Sequence, residues 1–214
     1  MHKSSTKSHP YNFPYIPANK KSLGKRKLVV GVGINDAPFL VRDDGKMDPI
    51  YVKWVNMLER CYSSKFHERQ PTYIVCTVCK EWHSFMAFRA WMLKQQWQGE
   101  KMQLDKDIIK PGNRVYCPEF CMFVPASVNS LLTDAGAARG EWMLGVYFRR
   151  GKFEAQCNDG RGKRIHLGRF DTEIEAHNTW RVFKIKVIRK VADEQRDPRL
   201  TQALHKIADD MEGK

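Results

Sequence analysis

Hydrophobic residues recur along this chain at two periods, and the places where the period changes mark its organisation. From Asp48 the period is helical: Asp48 can cap, Pro49 suits a first turn, and Trp54, Met57, Leu58 and Cys61 fall at i, i+3, i+4 and i+7. A polar stretch runs to Pro71, and Glu81 to Trp97 predicts a second helix with Phe85, Phe88, Trp91 and Met92 along one side. These aromatics predict core packing, because a cofactor pocket would need polar anchors that the stretch lacks. Residues 103–133 predict an irregular hairpin and helix: Pro111-Gly112-Asn113 is a turn signal, Val115 to Val124 has strand character broken by Pro118, and Pro125 to Leu132 opens a short helix. Gly136 to Gly140 is a run of small residues that predicts a domain boundary.

Beyond it the period becomes two. Val146 and Phe148 alternate with Tyr147 and Arg149; Phe153, Ala155 and Cys157 alternate with Lys152, Glu154 and Gln156; Ile165 and Leu167 alternate with Arg164 and His166. Arg150-Gly151 and Asp159-Gly160-Arg161-Gly162 supply the hairpin turns. Thr172 and Glu175 form a capping box, and Ala176, Trp180, Phe183 and Val187 then recur at helical spacing, as a helix covering the apolar sheet face requires. Asp197-Pro198 opens a last helix with Leu200, Leu204, Ile207 and Met211 as its stripe, able to pack on its own domain or on another subunit.

Composition sharpens this picture in one respect. Of 214 residues, 37 are Lys or Arg and 24 Asp or Glu, a net charge of +13. Lys3, Lys7, Lys20, Lys21, Lys25, Arg26 and Lys27 stand in a stretch without a single acid, so residues 1–28 predict a basic, disordered arm. Clustered positive charge points to a polyanion partner, since Lys and Arg neutralise phosphates and release counterions. The six cysteines are scattered through a chain of ordinary hydrophobic content, which predicts free or metal-bound thiols in a reducing compartment. No apolar run approaches the roughly 20 residues of a bilayer span, and no hydrophobic segment follows the basic N-terminus. The expectation is therefore a cytoplasmic protein without a membrane partner. Gly31-Val32-Gly33 lacks the third glycine of a dinucleotide loop and carries no weight.

The sheet unit's free face would present Tyr147, Arg149, Lys152, Gln156, Arg164 and His166. From the residues alone, a solvated sheet face and a nucleic-acid surface are nearly even. The segment resembles the plant APETALA2/ethylene-response-factor DNA-binding domain in Gly145-Val146, Gly151-Lys152-Phe153 with Ala155, and Ile165 to Thr172 followed by Glu175-Ala176. That resemblance implies a three-stranded antiparallel sheet packed on one helix, lying in the major groove of duplex DNA. It places the DNA contacts on those six residues. His166 stands where plant members commonly have Trp, so no target sequence transfers.

The preceding segment resembles phage and bacterial HNH-type homing endonucleases. The matching residues are Trp54 with Met57 to Cys61, Val78 to Trp82 with Phe85 and Phe88, Leu104 to Asp107, Gly112-Asn113, Tyr116 to Glu119, Cys121 and Asn129. The resemblance implies an α+β chain with an HNH-like ββα-type domain and flanking helices over 29–135. The sheet domain would follow over 141–194 and a C-terminal helix over 195–214. The catalytic residues would be Asp105, Asp107, Asn113 and Asn129, with Asp105, Asp107 and Asn113 holding Mg²⁺ or another divalent cation. If phage-encoded, the protein would act in the host cytoplasm. No His lies between Asp105 and Asn129; Lys106 or Asp107 stands where the water-activating His would be, and His83 is an outside candidate. A protein that binds DNA without cutting it, retaining a degenerate nuclease fold, is thus the alternative. A third class, a module meeting RNA or an acidic protein, is weakened by the lack of exposed aromatic rows. Cys76, Cys79, Cys117 and Cys121 are candidates for a structural Zn²⁺ site, against their being small buried residues.

Overall fold

The computed structural model describes residues 13–95, 102–133 and 141–213. The chain is mixed α+β. Its helices are α1 (Lys20–Gly24), α2 (Pro49–Tyr62), α3 (Ser64–Arg69), α4 (Phe85–Met92), α5 (Ala126–Leu132), α6 (Glu173–Asp193) and α7 (Pro198–Glu212). Its strands are β1 (Arg42–Asp43), β2 (Lys46–Met47), β3 (Thr77–Val78), β4 (Met102–Asp105), β5 (Val115–Tyr116), β6 (Met122–Pro125), β7 (Val146–Arg149), β8 (Lys152–Asn158) and β9 (Arg164–Phe170). Contacts divide the chain into two compact units, one of Met1–Glu100 with Lys110–Phe123, the other of Lys101–Ile109 with Val124–Lys214. The small-residue linker at 136–140 and Trp97 lie outside the described residues.

In the first unit α2 forms as its pattern requires. Asp48 accepts a hydrogen bond from the Ile50 amide (2.8 Å), Pro49 fills the first turn, and Ile50, Trp54, Met57, Leu58 and Cys61 are buried. The Trp54 indole N–H donates to the Trp82 carbonyl at 2.7 Å. The second helix is shorter than its pattern: Lys80–His83 is a turn of 3₁₀ helix, and Ser84 caps α4 through the Ala87 amide (3.0 Å). Phe85, Phe88 and Met92 are buried, and Trp82 meets Phe88 edge-on at 5.1 Å. Gly33 belongs to this core, since a Cβ there would come within 2.4 Å of Leu58.

The disorder expected over 1–28 does not hold for its described part. Phe13 is buried, α1 is capped by Asn19, and the Arg26 guanidinium donates to the carbonyls of Asn35 (2.8 Å), Ala37 (2.6 Å) and Phe39 (2.9 Å). One guanidinium satisfying three carbonyls fixes the segment. The neighbouring Lys20, Lys21, Lys25 and Lys27 remain exposed.

In the second unit β4 pairs with β6, whose last two residues belong here. Helix α5 follows directly and packs on β4. Strands β7, β8 and β9 form an antiparallel sheet with β8 central. Arg150 (φ 48°) and Gly151 (φ 74°) make a two-residue turn with both φ positive, the type whose twist suits a hairpin. The capping box of Thr172 and Glu175 starts α6. Val146, Ala155 and Cys157 from the sheet and Ala176 and Trp180 from the helix close a common core. His177 donates from Nδ1 to the Leu144 carbonyl at 3.0 Å and stacks on Trp180. Phe148, on the same face, lies half exposed at the sheet's end, where Trp142 packs on it at 5.4 Å.

The last helix packs on its own unit. Helix α7 sets Leu200, Leu204 and Ala208 against α6, where Ile185, Ile188, Val191 and Ala192 are buried. Arg189 bridges to Asp209 (2.8 Å) and Glu212 (2.5 Å) across the pair. No helix among the described residues is long and apolar enough to cross a membrane.

Gly145 sets how closely α6 approaches. Its φ is +77°, and a Cβ there would lie 2.0 Å from the Trp180 ring. Gly145→Ala is expected to destabilise the second unit by about 3 kcal/mol or more, from left-handed strain plus overpacking. Chemical denaturation followed by Trp fluorescence measures this; a variant as stable as the parent would contradict the close seating.

Candidate nucleic-acid interface

Helix α6 covers one face of the three-stranded sheet and leaves the other open. Ala155 and Cys157 of β8 are buried, so the period of two directs Lys152, Glu154 and Gln156 to the open side. Across β7 the register pairs Tyr147 with Glu154 and Arg149 with Lys152. Across β9 it pairs Arg164 with Asn158 and His166 with Gln156. Tyr147, Arg149, Lys152, Gln156, Arg164 and His166 therefore share one face.

Their side chains are not equally free. Arg149, Arg164 and His166 are exposed, and among the described residues no hydrogen bond or ion pair engages their side chains. Lys152 forms an ion pair with Asp171. Gln156 donates from Nε2 to Glu154 Oε2 at 3.4 Å, while Tyr147 is half-buried.

Alternation alone misses one residue of this face. The register slips between Ala155 and Gln156: Gln156 faces His166 but Ala155 faces Gly168, leaving Leu167 as the extra residue of a β-bulge. Gly168 has φ +142°, a conformation that favours glycine. Beyond the bulge Arg169 joins the open face opposite Glu154, with Arg169 Nε 3.2 Å from Glu154 Oε1. The sequence signal was the glycine inside the strand. Arg149, Arg150, Glu154, His166 and Arg169 line a concavity of about 500 Å³.

The residues expected to form a catalytic site are held in local bonds. Asp105, at the end of β4, accepts on Oδ1 from the amides of Asp107 (2.8 Å) and Ile108 (2.7 Å). The Lys106 ammonium, nearly buried, donates to both carboxylate oxygens of Asp107 (2.6 and 2.7 Å). Asn129 on α5 donates to Gln103 Oε1 at 2.6 Å. Asn113, in the first unit, donates to the Val115 carbonyl (2.8 Å) and accepts from its amide (3.3 Å), closing the turn before β5. His83 lies 3.4 Å from the Tyr62 hydroxyl.

None of the six cysteines is in a disulfide. Thr77–Val78 runs as strand β3, parallel to β5, between Cys76 and Cys79. Two extended residues between them set the two Cα atoms roughly 10 Å apart, an extended path where a metal-binding knuckle needs a turn. Cys79 instead follows β3 as Cys117 follows β5, with the Cys79 amide on the Tyr116 carbonyl (2.9 Å). Burial, reinforced by the neighbouring Cys117, raises the Cys79 thiol above its usual range. Among the described residues no group of three or more His, Cys, Asp or Glu is arranged to hold a metal ion. No family model, no curated protein and no solved structure matches the chain.

Burial raises the Asp105 carboxyl above the usual carboxylate range, against the two N–H bonds that lower it. A raised carboxyl binds its proton more tightly in the folded state. Asp105 therefore subtracts stability as pH climbs from the ordinary carboxylate range through the raised value. Asp105→Asn keeps an oxygen for both amides and removes the charge. It is expected to melt at or above the parent's temperature at pH 7, with a flatter pH dependence through that window. Asp105→Ala strands both amides and is expected to cost about 1–3 kcal/mol. Melting temperatures from pH 4 to 8 test this; a steeper profile for the Asn variant would refute it.

Proposed function

We propose that the protein binds duplex DNA through the open face of the β7–β9 sheet. The observation that carries this is the set of exposed, unengaged side chains on that face, the cations Arg149 and Arg164 with the imidazole of His166, beside the arginine-lined concavity. Three strands at about 4.8 Å spacing span roughly 10 Å, within the major groove's width of about 12 Å. Side chains of this type hold phosphates, and those nearest the groove floor meet base edges. The exposed lysines around α1 suit further phosphate contacts. The resemblance to APETALA2/ethylene-response-factor domains points the same way.

Binding should be salt-dependent. Arg149→Ala and Arg164→Ala are each expected to weaken duplex affinity and to reduce the slope of log K against log salt by about one. Titrations at two salt concentrations measure it. Unchanged affinity in both variants would remove the sheet face from the interaction.

A second reading, metal-dependent hydrolysis of DNA, is favoured by one observation. The succession β4, β6, α5 has the strand-strand-helix order of an HNH-like fold, with Asp105 ending the first strand and Asn129 on the helix. The donors there do not fit a divalent cation as they stand: Lys106 occupies both oxygens of Asp107, and Asp105 spends Oδ1 on amides. We therefore assign the protein to DNA binding without cleavage. Supercoiled plasmid incubated with the protein and Mg²⁺ or Mn²⁺ is expected to stay supercoiled. Metal-dependent nicking that disappears in the Asp105→Ala/Asp107→Ala variant would establish the hydrolytic reading instead.

A further inference from the structure

We infer that Arg169 reads a guanine edge, with Glu154 as the residue that positions it. This rests on the duplex-DNA reading above and goes beyond the side chains that alternation assigns to the face. Glu154 lies on the central strand, between Tyr147 of β7 and Arg169 of β9. Its side chain is only 12% exposed, and its two oxygens are divided between two neighbours. Oε1 lies 3.2 Å from Arg169 Nε, and Oε2 accepts from Gln156 Nε2 at 3.4 Å. An acid at this position has a defined consequence for each partner.

For Arg169 the carboxylate takes the Nε side of the guanidinium. The two terminal nitrogens remain, a planar pair of donors on a side chain 45% exposed beside the concavity. An ion pair on one edge of the fork restricts where the guanidinium can lie, so less rotamer freedom is lost when a two-acceptor group is met. In the major groove the two-acceptor group is guanine, through O6 and N7.

Charge separates this role from a phosphate contact. A phosphate is best met by uncompensated positive charge, as at Arg149 and Arg164. The Arg169 charge is offset by the Glu154 carboxylate, which would itself repel a phosphate. A neutralised pair that still aims two donors suits an uncharged base edge, where direction counts for more than net charge. Glu154 also takes one amide hydrogen of Gln156, which orients that amide beside the same position.

Selection of duplexes from a random pool tests the assignment, using the full chain, Arg169→Ala, Glu154→Ala and the double variant. The parent is expected to select a guanine at one position. Arg169→Ala should abolish that preference and lose roughly 5- to 150-fold against the preferred duplex, the range of one bidentate contact. Glu154→Ala should weaken the guanine preference while raising affinity for unrelated duplexes, because it removes a negative charge. A merely structural role would not move the two in opposite directions. The double variant removes both charges; it should bind unrelated duplexes as the parent does, still without the preference, which excludes loss of the fold as the cause. A uniform loss across all duplexes in Arg169→Ala, matched in the double variant, would make Arg169 a phosphate contact and overturn the inference. An unchanged guanine preference would also overturn it, as would selection of cytosine lost only with Glu154. A parent that binds no duplex would instead bring down the DNA reading of the face itself.

Discussion

The seating of α6 on the sheet decides what the rest of the second unit can present. Trp180 lies against the bare Cα of Gly145, and Ala155 and Ala176 are both fully buried between helix and sheet. Small residues where the layers touch let the helix approach closely. Once Ala155 and Cys157 are committed to the covered side, the pleat leaves Glu154 and Gln156 no choice of side. Each open-face residue is therefore specified by apolar residues that never meet a ligand. The capping box at Thr172 fixes where the helix begins, and α7 covers its far side.

Local signals were legible wherever the interaction that fixes an element is itself local. Asp48-Pro49, Thr172 with Glu175 and Asp197-Pro198 each start a helix through bonds spanning two or three residues. The strands of the sheet unit were legible for the same reason, since alternation and a two-residue turn are short-range patterns. What escaped was determined at a distance. Arg26 looks like one more charge in a basic tail, and only its bonds to carbonyls at residues 35, 37 and 39 make it a structural clamp. The parallel pairing of β3 with β5 joins residues nearly forty positions apart and leaves no periodic trace. Helix α4 starts later than its apolar pattern because Ser84, bonded to Asp36 at 2.6 Å, offers a cap inside it.

The candidate site was legible to different degrees for a related reason. Side chains on the open sheet face follow from alternation, because facing is a backbone property. Donor groups around Asp105 do not, because a carboxylate in sequence has the same letter whether it awaits a metal or closes a turn. In this chain Asp105 and Asn113 shape the backbone that directly follows them. The positive charge divides similarly. Some of it is consumed by the fold, as at Arg26, Arg189 and Lys106, so the count of 37 Lys and Arg overstates what a polyanion would meet as free cations.

The bulge at Leu167 makes the two halves of β9 opposite in parity. Arg164 and His166 are even-numbered and Arg169 is odd, yet all three look out from the same side. In a strand of strict alternation the chemistry of a face changes one side chain at a time. Here a single inserted or deleted residue at the bulge would exchange inward for outward along the remaining strand in one event. The surface of such a sheet can therefore diverge by steps in length as well as by substitution, provided the core side of the strand is repacked at the same step.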